Sequence, residues 1–142
     1  QVSCAEYEAS ERGVYDLLLA VNRGGLALLE GCGTKPGTCA RLASRVSPVS
    51  HGFLYGDVFD VVSQENSRNI AYTSERLRPH MDLIYYESPP GLQTLHCLQF
   101  DKSVKGGETT FIDAFEAAKV FKQQYPEHFD VLSSITATFK KV

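Results

Sequence analysis

Near His51 the hydrophobic pattern of this chain changes, and the change limits the fold classes open to it. Downstream, Tyr55, Val58, Phe59, Val61 and Val62 are β-branched or aromatic, types that suit a pleated, half-buried surface. A polar turn at Asn66 to Asn69 precedes Ile70 to Thr73, expected to be extended. Met81 to Tyr86 reads as a strand, Pro89-Pro90-Gly91 as a rigid turn, and Leu92 to Phe100 as an alternating strand. A loop from Asp101 to Gly107 leads to an expected strand over Glu108 to Asp113. Phe115 to Gln124 and Pro126 to Ser134 read as helices, the second with proline in its first turn. Ile135 to Lys140 is expected to be a last strand. Short strands with tight turns predict a sandwich or barrel-like β-fold.

Upstream the spacing is helical. Within Ala5 to Asn22, Val14, Leu17, Leu18 and Val21 follow the i, i+3, i+4, i+7 rule, and Arg23-Gly24-Gly25 is a stop signal. Leu26 to Leu29 is expected to be a short buried strand. Lys35-Pro36-Gly37-Thr38 opens a second helix to about Arg45, with Thr38 as its cap. The organisation expected is a helical, mixed lead-in over 1–50 and a β-rich part over 51–142.

Composition excludes several function classes. A net charge of −3 and a pI near 5.8 supply no basic stripe for nucleic acid. No apolar run approaches the roughly 20 residues that span a bilayer. Four cysteines, Cys4, Cys32, Cys39 and Cys97, are too scattered for a disulfide scaffold and poorly spaced for zinc. Reduced thiols in an intracellular compartment are the expectation.

The residues that carry chemistry centre on Pro79-His80-Met81-Asp82. On a strand, positions i and i+2 share a face, so an imidazole and a carboxylate reach one point. Such a pair forms two thirds of the 2-His-1-carboxylate triad of non-haem Fe(II) oxygenases, whose open positions admit a cosubstrate and dioxygen. H-x-D alone also arises by chance on surface strands. Its surroundings carry more: Asn69-Ile-Ala-Tyr-Thr73, Pro89-Pro-Gly-Leu-Gln93, Leu95-His-Cys-Leu98 and Gly106-Gly-Glu-Thr109 lie in register around it.

In these motifs the chain resembles the gamma-butyrobetaine and trimethyllysine dioxygenases of the taurine-dioxygenase-like superfamily, over at least Tyr55 to Lys140. The resemblance implies an Fe(II)- and 2-oxoglutarate-dependent oxidoreductase of carnitine biosynthesis that hydroxylates a small trimethylammonium substrate, with ascorbate as reductant. It implies His80 and Asp82 as catalytic metal ligands. Thr109, Leu95 and Asn69 match positions of the cosubstrate pocket and active-site cavity. Tyr55, Phe59 and Tyr72 match aromatics that surround a quaternary ammonium, for which a cation over ring faces is the physical reason. On the residues alone, Tyr55 and Phe59 equally fit buried strand aromatics, and Thr109 a strand residue. His96 reads as a satisfied core histidine rather than a ligand; His51 and His128 have no partner pattern.

The implied fold is mainly β with flanking helices, an incomplete double-stranded β-helix (jelly roll) truncated before its closing strands. Domain 1–142 is then a partial catalytic domain. The family's third ligand, a late histidine, and the arginine that anchors 2-oxoglutarate have no counterpart here, so a fragment without turnover of its own is expected. Leu83 stands where the betaine enzyme has a tyrosine. That keeps open a related oxygenase acting on another small acid such as a sulfonate; an inactive binding module is a further alternative. The expected partner is a small-molecule substrate, with no nucleic acid and no membrane; a homodimer of the full-length protein is left open. Cytoplasm is the expected location, with mitochondria the alternative.

Overall fold

Ser10 sets the N-terminal architecture. Its backbone is extended, at φ −153° and ψ 153°, and its hydroxyl accepts a 3.1 Å hydrogen bond from the Gly13 N–H. That side chain caps a new helix start, so the single helix expected over 5–22 is two: α1, Cys4–Ala9, and α2, Glu11–Gly24. Gly13 lets them cross closely. A Cβ there would lie 2.3 Å from the Glu6 carbonyl oxygen and 2.6 Å from the Tyr7 Cα. The glycine stop is where the spacing places it: Gly25 adopts φ 76°, and its N–H bonds the Val21 carbonyl at 2.7 Å.

The computed structural model describes residues 1–49 and 56–138, which fall in two compact units: Gln1–Glu75 with Leu92–Gly106, and Arg76–Gly91 with Gly107–Val142. In the first unit, β1 (Val2–Ser3) pairs in parallel with β2 (Leu29–Glu30), Val2 opposite Leu29 and Ser3 opposite Glu30. Of the strand expected over Leu26 to Leu29, only its last residue pairs. Helix α3 (Thr38–Ala43) begins after Gly37, at φ 80°; Thr38 is its first residue and is buried rather than capping. Cys4, Tyr7, Val14 and Leu42 form the core, with Val2, Leu17, Leu29, Cys32 and Val46 packed against it. Burying a side chain such as Leu42 stabilises by about 1.5–3 kcal/mol. Tyr7 is the most deeply buried, and its hydroxyl donates to the Leu42 carbonyl at 2.7 Å. The Arg45 guanidinium caps this core 5.3 Å from the centre of the Tyr7 ring.

The expected β-rich part is corrected. Among the described residues no strand follows Glu30. Ile70–Tyr72 is a 3₁₀ turn rather than extended, because the Asn69 carboxamide oxygen accepts from the Ala71 N–H at 3.0 Å. Met81 to Tyr86 holds a turn, and Leu92 to Phe100 and Glu108 to Asp113 run without ladder partners. A strand is stabilised by the strand beside it, and none of these segments has one. The jelly roll is therefore not formed by the described residues. Ile135 caps a helix, and residues 139–140 of the last expected strand lie outside the described residues, as does His51.

The second unit carries α4 (Ala114–Gln124) and α5 (Pro126–Ser134), close to their sequence-based bounds. Asp113 caps α4 by accepting from Glu116 N–H at 3.0 Å, and Pro126 sits in the first turn of α5. No described residue of this unit is buried. Phe115 is 85% and Leu132 72% exposed. A shallow apolar groove of about 450 Å³ runs along the helix pair, lined by Phe121, Tyr125, His128, Val131 and Leu132. No helix of the described residues is long and apolar enough to cross a membrane.

Candidate active site

His80 and Asp82 are held by the backbone around them. The segment is not a strand: His80 lies in an irregular stretch and Asp82 opens a turn in which the Tyr86 N–H reaches the Leu83 carbonyl at 3.1 Å. Leu83 adopts φ 58°, a left-handed conformation that costs a bulky residue roughly 1–2 kcal/mol. The turn nonetheless brings the two side chains together, His80 Nε2 standing 3.5 Å from Asp82 Oδ1, both about half exposed.

The other imidazole nitrogen decides what the pair can do. His80 Nδ1 lies 2.7 Å from the Arg78 carbonyl oxygen. A carbonyl only accepts, so Nδ1 carries the hydrogen and donates it. In the neutral ring Nε2 then carries a lone pair 3.5 Å from a carboxylate oxygen, which is also an acceptor. Two acceptors facing each other at this distance suit a shared cation. Metal–nitrogen and metal–carboxylate bonds are about 2.0–2.2 Å, so both donors can reach one ion. An N–H···O=C contact on the far side of the ring is the arrangement that orients a metal-binding histidine. No residue pattern signals this contact, because Arg78 contributes only its main chain.

This donor set fits a metal ion in part. Among the described residues no group of three His, Cys, Asp or Glu side chains is placed to hold one. Thr109 belongs to the same unit as the pair, on an exposed irregular segment after Gly106 and Gly107.

Of the remaining expected residues, Phe59, Tyr72, Asn69 and Leu95 belong to the first unit. Phe59 is 45% exposed and Tyr72 is half-buried at the end of the 3₁₀ turn. The Gln64 N–H bonds the Tyr72 carbonyl at 2.7 Å and so ties the Phe59-bearing segment to that turn. Asn69 spends its side-chain oxygen on capping the turn. Leu95 is 71% exposed. Tyr55 lies outside the described residues. His96 is partnered, though outside the core: its Nε2 donates to the Gly33 carbonyl at 2.8 Å, while Cys39 Sγ lies 3.9 Å from the Thr94 carbonyl. These contacts fasten Leu92–Gly106 to the earlier part of the first unit.

Residues 2–142 match the family model of the taurine catabolism dioxygenase TauD, TfdA family. The chain belongs to this family. Human gamma-butyrobetaine dioxygenase is 32% identical over 90% of the chain and 32% of its own length. The gamma-butyrobetaine dioxygenase of Pseudomonas sp. (strain AK-1) is 38% identical over 87% of the chain and 31% of its own length. Human mitochondrial trimethyllysine dioxygenase is 30% identical over 94% of the chain and 31% of its own length. The chain thus spans about a third of the length of the curated relatives it matches. No solved structure is a significant match.

Proposed function

We propose that the protein is an Fe(II)- and 2-oxoglutarate-dependent dioxygenase that hydroxylates a small trimethylammonium compound, gamma-butyrobetaine being the favoured substrate. The observation that carries this is the His80–Asp82 pair, with Nδ1 committed to a main-chain carbonyl and Nε2 facing the carboxylate. Family membership and the names of the relatives support it. Bound Fe(II) with 2-oxoglutarate would supply the oxidising power, the cosubstrate leaving as succinate and carbon dioxide. The chain's own part is to present Nε2 and the Asp82 carboxylate on one side of a turn. Thr109, Leu95 and Asn69 would border the cosubstrate and cavity, and Tyr55, Phe59 and Tyr72 would receive the quaternary ammonium through their ring faces.

In this reading the 142 residues are part of a larger catalytic domain. The exposed apolar side chains of α4 and α5 and the unpaired β-prone segments are what an unfinished jelly roll leaves uncovered. A third metal ligand and a 2-oxoglutarate-binding arginine are then contributed by other residues of the full-length protein, and ascorbate keeps the iron reduced.

The deciding experiment is succinate formation from 2-oxoglutarate by the full-length protein with Fe(II) and ascorbate. Substrate-dependent turnover with gamma-butyrobetaine is the expected result. Equal stimulation by a sulfonate would move the assignment to an oxygenase of another small acid. No turnover with any of these compounds would leave a non-catalytic binding protein.

A further inference from the structure

The first unit contains all four cysteines, none of them used by the proposed chemistry, and two of them flank its short sheet. Cys4 directly follows β1, and Cys32 lies just beyond β2. The parallel register sets Ser3 opposite Glu30, so Cys4, the residue after Ser3 and the first of α1, and Cys32, two residues past Glu30, leave the same end of the sheet. Packing agrees with register. Cys4 belongs to the buried core at 2% exposure, and Cys32 packs against that core from its partly exposed rim. Burial, then a hydrogen bond and charge interaction with the Cys32 thiol, push the Cys4 thiol up from its ordinary value. Both cysteines are free thiols.

We propose that Cys4 and Cys32 form a redox-sensitive dithiol that a peroxide converts to a disulfide, clasping β1 to the turn after β2. Cys32 is the sulfur that solvent reaches. It attacks the peroxide O–O bond, takes one oxygen as S–OH and releases one water. The Cys4 sulfur then displaces that hydroxyl, which leaves as a second water with the Cys4 proton. The two thiols lose two electrons together, and the peroxide gains them. The bond would reinforce a sheet that otherwise rests on two residue pairs.

The test is peptide mapping of the intact protein under non-reducing conditions after hydrogen peroxide. The peptides carrying Cys4 and Cys32 should appear as one linked species, lighter by about 2 Da than their sum, the two hydrogens lost on forming one S–S bond. Dithiothreitol should separate them again. Because Cys4 is buried and its own replacement risks misfolding, the informative variant is the double change Cys39→Ser, Cys97→Ser, which should retain the linked species. Peroxide oxygens accumulating on Cys32 while Cys4 stays a thiol would overturn the proposal. So would a link confined to Cys39 and Cys97; Cys39 contacts the carbonyl of Thr94, three residues before Cys97.

Discussion

The Nε2 of His80 stands 3.5 Å from the Asp82 Oδ1 while its Nδ1 donates to the Arg78 carbonyl. If that pair binds the metal, neither donor is dispensable. His80→Ala and Asp82→Ala in the full-length protein should each lower kcat/KM by more than about 100-fold, above the 10–100-fold typical of losing an outer partner of a ligand. Asp82→Asn, similar in size but uncharged, should be nearly as damaging. The measurement is succinate release at saturating Fe(II). Wild-type rates in either alanine variant would remove these residues from the metal site.

The nearness of His80 and Asp82 was legible in the sequence from their spacing, but the backbone carrying them was not. A strand was expected and a turn with Leu83 at positive φ is found. Strand formation in Met81 to Tyr86 depends on partners that no local pattern specifies. Helices were easier, because their signals are local. Pro126 marks the start of α5, and Gly25 stops α2 through an αL cap. The break at Ser10 carries a local mark of its own, a serine before an acidic first turn, and the apolar spacing from Val14 to Val21 lies wholly after it. The Nδ1 contact of His80 was beyond reach, because any residue at position 78 offers the same carbonyl.

The 142 residues by themselves should form no succinate. Two protein donors leave the metal's geometry unset, and the described residues hold no third. The assay is 2-oxoglutarate turnover by the isolated chain with Fe(II), ascorbate and gamma-butyrobetaine. Sustained turnover would mean that another residue completes the site. The same preparation should brighten a hydrophobic dye strongly, because Phe115, Leu132, Ile135 and Phe111 are all more than half exposed.

The helix crossing at Gly13 has no room for a methyl group. Since the nearest atoms are backbone, relief requires moving α1 against α2. Gly13→Ala should therefore destabilise the first unit by about 1–3 kcal/mol, despite alanine's better helix propensity. Chemical denaturation followed by far-ultraviolet circular dichroism reads the shift. An unchanged midpoint would show that the helices separate freely at this point.

Alkaline pH should weaken the first unit. Burial raises the Tyr7 hydroxyl above its ordinary 10.0, against a lowering influence of the Arg45 guanidinium, and burial likewise raises the Cys4 thiol above 9.0. Each group binds its proton more tightly folded than unfolded. The stability this gives is complete below the unfolded value and is lost as pH rises through the folded one. The denaturation midpoint should thus fall first above pH 9.0 and again above pH 10.0. Tyr7→Phe should abolish the second fall. At neutral pH it should also cost about 1–3 kcal/mol, because the Leu42 carbonyl loses its buried donor. A Tyr7→Phe variant with the wild-type alkaline profile would place the titrating group elsewhere.

The substrate proposal turns on the aromatics of the first unit. Tyr72 is half-buried at the end of a 3₁₀ turn that Asn69 caps, and Phe59 lies on the segment joined to that turn through Gln64 and the Tyr72 carbonyl. The contact through Tyr72 is made by its main chain, so replacing the side chain preserves that link while removing the ring. A cation over an aromatic face is worth about 0.5–2 kcal/mol, depending on desolvation. Tyr72→Leu in the full-length protein should therefore raise KM for gamma-butyrobetaine roughly 2- to 30-fold. Conversion of 2-oxoglutarate without substrate should change far less, because it needs the metal site and not the ammonium site. A purely structural Tyr72 would lower both activities together. An unchanged KM would make these aromatics packing residues, and a wild-type preference for a sulfonate would make Leu83, in place of the betaine enzyme's tyrosine, the first position to exchange.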